Sequence, residues 1–155
     1  MVANPLEIPF AELKRMAKRE QITQHYCIQG WSGIAKWGGV SMHDIMDIVR
    51  PKPEAKFAVF VSFAHGPDPG SGLFYDVHRI ENMSHPQTIL AYEMNGEPLK
   101  ELHGAPLRLR DELELGFKQV KWVQAVLFVD SFADLASGQG GFNEDYEYYG
   151  WRDPI

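Results

Sequence analysis

Cys27 is the only cysteine in a chain of 155 residues, and it stands in the stretch HYCIQGWSG, residues 25–33. One thiol cannot close an internal disulfide, and it excludes the multi-cysteine zinc patterns. Two chemistries remain open for it: a thiolate can attack as a nucleophile, or it can bind a soft metal ion. A nucleophile needs a base and an orienting group, and His25, His65, His78, His85 and His103 all supply the residue type. His25 precedes Cys27 by two positions, so on a strand both side chains leave the same face, where a charged imidazole would lower the thiol's pKa. The plain alternative is a buried structural cysteine, kept for its size.

A second group of residues suits an anion. In LHGAPLRLR, Gly104 and Pro106 predict a rigid turn between His103 and Arg108, and the arginine can offer a planar fork to phosphate. In GFKQVKW, residues 116–122, Gly116 allows backbone to approach a ligand, and Lys118 and Lys121 add charge. With Arg110 these cations form a local basic stretch in a chain whose net charge is −6. The spacing matches neither of the two glycine-rich nucleotide loops. Near the end, Tyr146, Tyr148 and Tyr149 alternate with acidic residues. Most of them read as an aromatic lid on the core, but one hydroxyl in a cleft could donate a hydrogen bond or shuttle a proton.

Bringing Cys27 to these distant groups requires a folded core. Hydrophobic residues make up 45% and charged residues 23% of the chain, an ordinary globular balance for one domain over residues 1–155. The net charge argues against nucleic-acid binding, which depends on neutralising phosphates. No apolar run is long enough to span a membrane. The N-terminus lacks the basic-then-apolar order of a signal peptide, which leaves the compartment open.

Residues 10–18 carry a helical period. QITQHYCI predicts a strand ending near Cys27, followed by a loop over GWSGIAKWGG. Ser41 and Asp44 resemble a capping box, with Ile45, Ile48 and Val49 as the apolar face and Pro51 as the stop. Residues 55–64, APLRLRD and residues 120–130 predict strands, HGPDPGSG a loop, and Asn95-Gly96 a tight hairpin turn. The tail from Gly138 reads as an ordered loop. These elements predict an α+β domain of four to six strands in mixed sheet with two or three short helices.

Taken in order, HYCIQGWSGIAKWGGV, AYEMNGEPLKELHGAPLRLR and GFKQVKW resemble the molybdopterin domain of sulfite oxidase-type oxidoreductases. Within that family they look closer to the bacterial catalytic subunits that reduce methionine sulfoxide in proteins. The resemblance implies a sulfite oxidase-like molybdopterin-binding fold, and a molybdenum-molybdopterin cofactor with Cys27 as its one protein thiolate ligand. It implies pterin contacts from Ser62, His103, Arg108, Gln119, Val120 and Lys121, and an active-site tyrosine at Tyr146, with Tyr148 and Tyr149 as the next matches. The chemistry implied is oxygen-atom transfer to or from a small sulfur compound, with an electron-transfer partner such as a haem protein. Family members are often periplasmic in bacteria. The sequence departs from the family in having only 26 residues before Cys27, where others carry further pterin contacts, and in lacking a dimerisation domain. That departure keeps a second expectation in play, a binding domain that retains the fold without productive cofactor chemistry.

Overall fold

A computed structural model describes residues 1–155 except 68, 69, 71 and 148. Its elements in chain order are α1 (Phe10–Leu13), β1 (Lys18–Tyr26), β2 (Ser32–Ser41), α2 (Met42–Val49), β3 (Phe57–His65), β4 (Leu73–Arg79), α3 (Ile80–Met83), β5 (Ile89–Met94), β6 (Glu97–Pro98), β7 (Arg108–Arg110), β8 (Val123–Val129) and α4 (Phe142–Tyr146), with 3₁₀ turns at Glu101–His103 and Gly116–Lys118. The strands form two antiparallel sheets. One runs β1-β2-β5-β6, with β7 also pairing β5; the other runs β4-β3-β8. This is the α+β class that the sequence predicts, with more strands than expected.

The main core lies between the sheets and under α2. Val40, Met42, Ala58, Phe60, Met83, Leu90, Leu109 and Phe128 are buried there together. Each large side chain removed from water in this way contributes about 1.5–3 kcal/mol before entropy is counted. Helix α2 starts where the sequence places it: the Ser41 hydroxyl accepts from the His43 amide as its cap. Met42, Ile45 and Val49 face inward, while Ile48 is exposed, because the buried stripe follows the i, i+3, i+7 positions. The hairpin turn is also as expected, with Asn95 and Gly96 both at positive φ.

Several segments differ from the sequence reading. The helical period over residues 10–18 yields only the single turn α1, and Lys18 already belongs to β1. The expected loop over GWSGIAKWGG contains most of β2, a central strand of the larger sheet. Its glycines serve close pairing: a Cβ on Gly39 would stand 2.1 Å from the Leu90 carbonyl oxygen. Strand β4 carries Asp76 and His78, whose polar side chains disguise a strand buried over residues 76–78. The ordered tail holds the short helix α4 as well as loop. The expected loop over HGPDPGSG falls partly outside the described residues. Among the described residues no helix is long and apolar enough to cross a membrane.

Candidate active site

Where β1 ends, the chain turns through Cys27–Trp31. The Gly30 amide donates to the Cys27 carbonyl and the Cys27 amide donates to the Trp31 carbonyl. This closed turn leaves the Cys27 side chain partly exposed at one wall of a cleft of about 680 Å³. That volume lies within the range of small-molecule and cofactor sites. The cleft also gathers Ser62 from β3, His103 from the first 3₁₀ turn, Arg108 from β7, and Gln119, Val120 and Lys121 from the segment before β8. Residues spread from 27 to 121 thus meet at one place.

The cations divide sharply. Arg110 is fully buried, but its guanidinium forms a two-pronged pair with Glu112 at 2.8 and 2.7 Å. Lys118 is buried against Asp76 and Glu144. The sequence reading of four cations for one anion therefore needs correction, since two are already neutralised. Arg108 differs. It is buried, and its guanidinium donates only to carbonyls, of His103 at 3.0 Å and of Gln119 at 3.4 Å. Burial, with the charge of Arg110 nearby, pushes it down to about 9. Burial and then the charge of Arg108 also lower Lys121, whose ammonium donates to the Leu102 carbonyl at 3.2 Å and lies over the Trp122 ring. Excess positive charge in a cleft wall is relieved by an anion.

His25 does not act on the thiol as an acid. Burial first, and the charges of Arg110 and Arg108 next, hold it at about 4. Its Nδ1 lies 2.9 Å from Arg110 Nη1; the guanidinium is always a donor, so Nδ1 accepts and the proton of the neutral ring sits on Nε2. The imidazole packs so tightly on Gly116 that a Cβ there would stand 2.2 Å from Nε2. The expected lowering of the thiol's pKa by a charged His25 is therefore corrected: at neutral pH His25 is a neutral spacer. Trp37 lies behind this wall, with the guanidiniums of Arg110 and Arg108 at 4.4 and 5.0 Å from its ring.

The remaining sequence-derived residues take distinct places. The Ser62 hydroxyl donates to the Lys121 carbonyl at 2.8 Å and accepts from the Ala64 amide, so it fixes the Lys121 backbone. The Gln119 side-chain amide donates to the Asp111 and Glu114 carbonyls, each at 3.2 Å. Val120 is a buried apolar wall whose carbonyl accepts from the Leu109 amide. Tyr146 is 66% exposed, stacks on Phe142, and is not among the described residues that line the cleft. Tyr149 instead stacks on the cleft residue Phe117 at 5.0 Å. Its hydroxyl is raised above the ordinary tyrosine value by Glu147 first. Tyr148 lies outside the described residues. Sequence reasoning missed Trp31, Ile34, Leu102 and Phe142 on the cleft wall; nothing in their type distinguishes them from core residues.

These residues fit molybdopterin. Among the described residues, three of the five buried side-chain polar atoms without a partner belong to cleft residues: Trp37 Nε1, Arg108 Nε and Gln119 Oε1. Folded proteins rarely leave such atoms unpaired without a functional reason. Cys27 supplies a soft donor, and no cluster of three metal-ligating side chains occurs among the described residues. A metal at Cys27 would take its other ligands from outside the described side chains.

Residues 1–134 match the model of the oxidoreductase molybdopterin binding domain, and the chain belongs to that family of molybdopterin-binding oxidoreductase domains. Over 132 residues it is 33% identical to the protein-methionine-sulfoxide reductase catalytic subunit MsrP of Xanthomonas axonopodis pv. citri, covering 80% of this chain and 41% of that protein. It is 28% identical to the MsrP of Campylobacter jejuni, covering 82% of this chain and 46% of that one. The chain thus spans less than half the length of these relatives. The crystal structure of the sulfane dehydrogenase SoxCD from Paracoccus pantotrophus shares the fold, with a TM-score of 0.70 and 24% identity, over 84% of this chain and 36% of that one.

Proposed function

We propose that this domain binds a molybdenum-molybdopterin cofactor and carries out oxygen-atom transfer to or from the sulfur of a sulfoxide or small sulfur oxide. The observation that carries the proposal is the meeting of one thiol, Cys27, with Arg108 and Lys121, the cleft cations held only by carbonyls. The relatives named for methionine sulfoxide reduction support the choice of sulfur chemistry.

Each residue has a defined task in this reading. Cys27 holds the metal through its sulfur. Arg108 and Lys121 hold the anionic end of the pterin by charge-assisted hydrogen bonds. His103 fixes the Arg108 guanidinium through its carbonyl, and the Ser62 hydroxyl fixes the Lys121 backbone by donating to its carbonyl. When bound, the cofactor supplies a metal that exchanges an oxygen atom and two electrons with sulfur. Trp31, Ile34 and Leu102 line the cleft with apolar surface, and Tyr149, stacked on the cleft residue Phe117, is a candidate hydrogen-bond donor to substrate. The oxidation states must be reset by an electron-transfer partner, a haem protein among the options.

The test is molybdenum and pterin content per chain, on protein made in cells that assemble the cofactor, beside Cys27→Ser. Near-stoichiometric metal that is lost in the variant is the expected result. Metal retained by Cys27→Ser would refute the ligand assignment. No metal in either protein would favour the other reading, a domain that keeps the family fold without the cofactor.

A further inference from the structure

Behind the cleft wall at Asp76 lies an ionic cluster that the cofactor does not explain. Asp76 of β4 lines the cleft. Its carboxylate and that of Glu144 in α4 both bind the single ammonium of Lys118, Glu144 at 2.6 Å. All three residues are buried. Glu144 Oε2 has no partner among the described residues.

We infer that the Asp76–Glu144 carboxyl pair holds one proton at the cleft wall at neutral pH, and that this proton serves the proton-consuming step of sulfoxide reduction. The inference rests on the oxygen-transfer reading of the site and adds to it the source of a proton.

The charge count leads there. Two carboxylates and one ammonium in a dry site carry an excess negative charge, and like charges so close do not both ionise freely. The groups facing Asp76 do not cancel the excess. From its own strand, His78 is cationic, but it donates to Asp111 Oδ2 at 2.7 Å and to the Lys118 carbonyl at 2.9 Å, so Asp111 balances it. The residues of β3 opposite β4, Phe57–Val61, carry no charge. From α4, Asp145 accepts from the Tyr75 hydroxyl and brings no cation to the cluster. Burial, with Glu144 adding to it and Lys118 opposing, pushes Asp76 up to about 7. The chemistry needs what the pair holds. Converting a sulfoxide to a sulfide breaks the S–O bond and sends the oxygen to water. It takes two electrons from an external electron carrier and two protons. One proton comes from the pair and one from solvent; solvent then reprotonates the pair.

The first readout is infrared absorption of the full chain at neutral pH, before any cofactor is considered. A buried protonated carboxyl band is expected in the wild type, lost in Asp76→Asn, with Glu144→Gln as the second variant should the first not fold. Absence of the band, or its survival in both variants, would overturn the inference. The second readout is the pH profile of sulfoxide reduction by the molybdopterin-loaded chain. In the wild type kcat falls as pH rises through about 7; in Asp76→Asn that alkaline limb is lost while KM is unchanged. A profile identical in wild type and variant would overturn the delivery role. Failure of the wild type to bind molybdopterin would overturn the functional reading and the delivery step with it, while the infrared result would still decide whether the pair holds a proton.

Discussion

Replacing Lys118 by methionine removes an ammonium and leaves a side chain of similar length. The structure gives the cost. Lys118 Nζ is the cation for both Asp76 and Glu144, and all three side chains are nearly inaccessible. Once it is gone, one carboxyl can stay neutral by holding a proton, while the other stands charged and unpaired. Removing one partner from a buried ion pair typically costs about 3–5 kcal/mol. For a domain of this size that lowers Tm by about 10 °C. The pH dependence has a definite sign. In the variant both carboxyls have folded-state pKa values raised above their unfolded values, so the native state binds more protons and gains stability as pH falls. The deficit against wild type therefore narrows on acidification toward the ordinary carboxylate range. Adding Asp76→Asn and Glu144→Gln to Lys118→Met, which removes every charge, should recover much of the loss. Denaturant unfolding at neutral and acid pH measures all of this. A loss under about 1 kcal/mol at neutral pH, the level of an exposed pair, would refute the argument. So would a deficit that does not change with pH.

Other outcomes follow from the cleft wall. Arg108→Ala should weaken molybdopterin retention by about 1.5–3 kcal/mol and leave the thermal stability of the cofactor-free chain unchanged or higher, because no carboxylate loses its partner; cofactor off-rates and melting curves check both halves. His25 is held neutral, so its contribution is fully present above its unfolded pKa of 6.5 and is lost as pH falls toward about 4; His25→Gln should flatten that part of the stability–pH curve. Gly116→Ala forces a Cβ against the His25 ring and should cost about 1–3 kcal/mol, recovered when His25→Ala is combined with it.

Sequence patterns located the strands that follow a single rule. Residues 55–64 and 120–130 are runs of β-branched and aromatic residues, and β3 and β8 lie within or beside them. The Asn95-Gly96 turn and the Ser41 cap depend on local chemistry, so they too were legible. Strand β2 was not, because its glycines read as loop until Leu90 is seen to press on Gly39. The same limit held at the site. Cys27, Ser62, His103, Arg108, Gln119, Val120 and Lys121 do line one cleft, but charge at long range was invisible. Nothing in GFKQVKW shows that Lys118 turns inward to Asp76 and Glu144 while Lys121, three residues on, stays at the cleft. Likewise, Tyr149 follows the exposed Tyr146 by three positions, and only the path of the tail after α4 tells which one approaches Phe117.

Strand β7 is only three residues long, yet it presents Arg108 and Arg110 on one face and Leu109 on the other, where Leu109 is fully buried in the core. Alternation along a strand allows no intermediate setting. Adding or deleting one residue between His103 and Arg108 would turn the leucine into the cleft and drive both guanidiniums into the hydrocarbon interior. A two-residue change would keep the faces and exchange a neutralised arginine for an uncompensated one, about 6.6 Å along the strand. The length of that short connection is therefore a stricter requirement than its composition, and natural variation there should take the form of replacements rather than gaps.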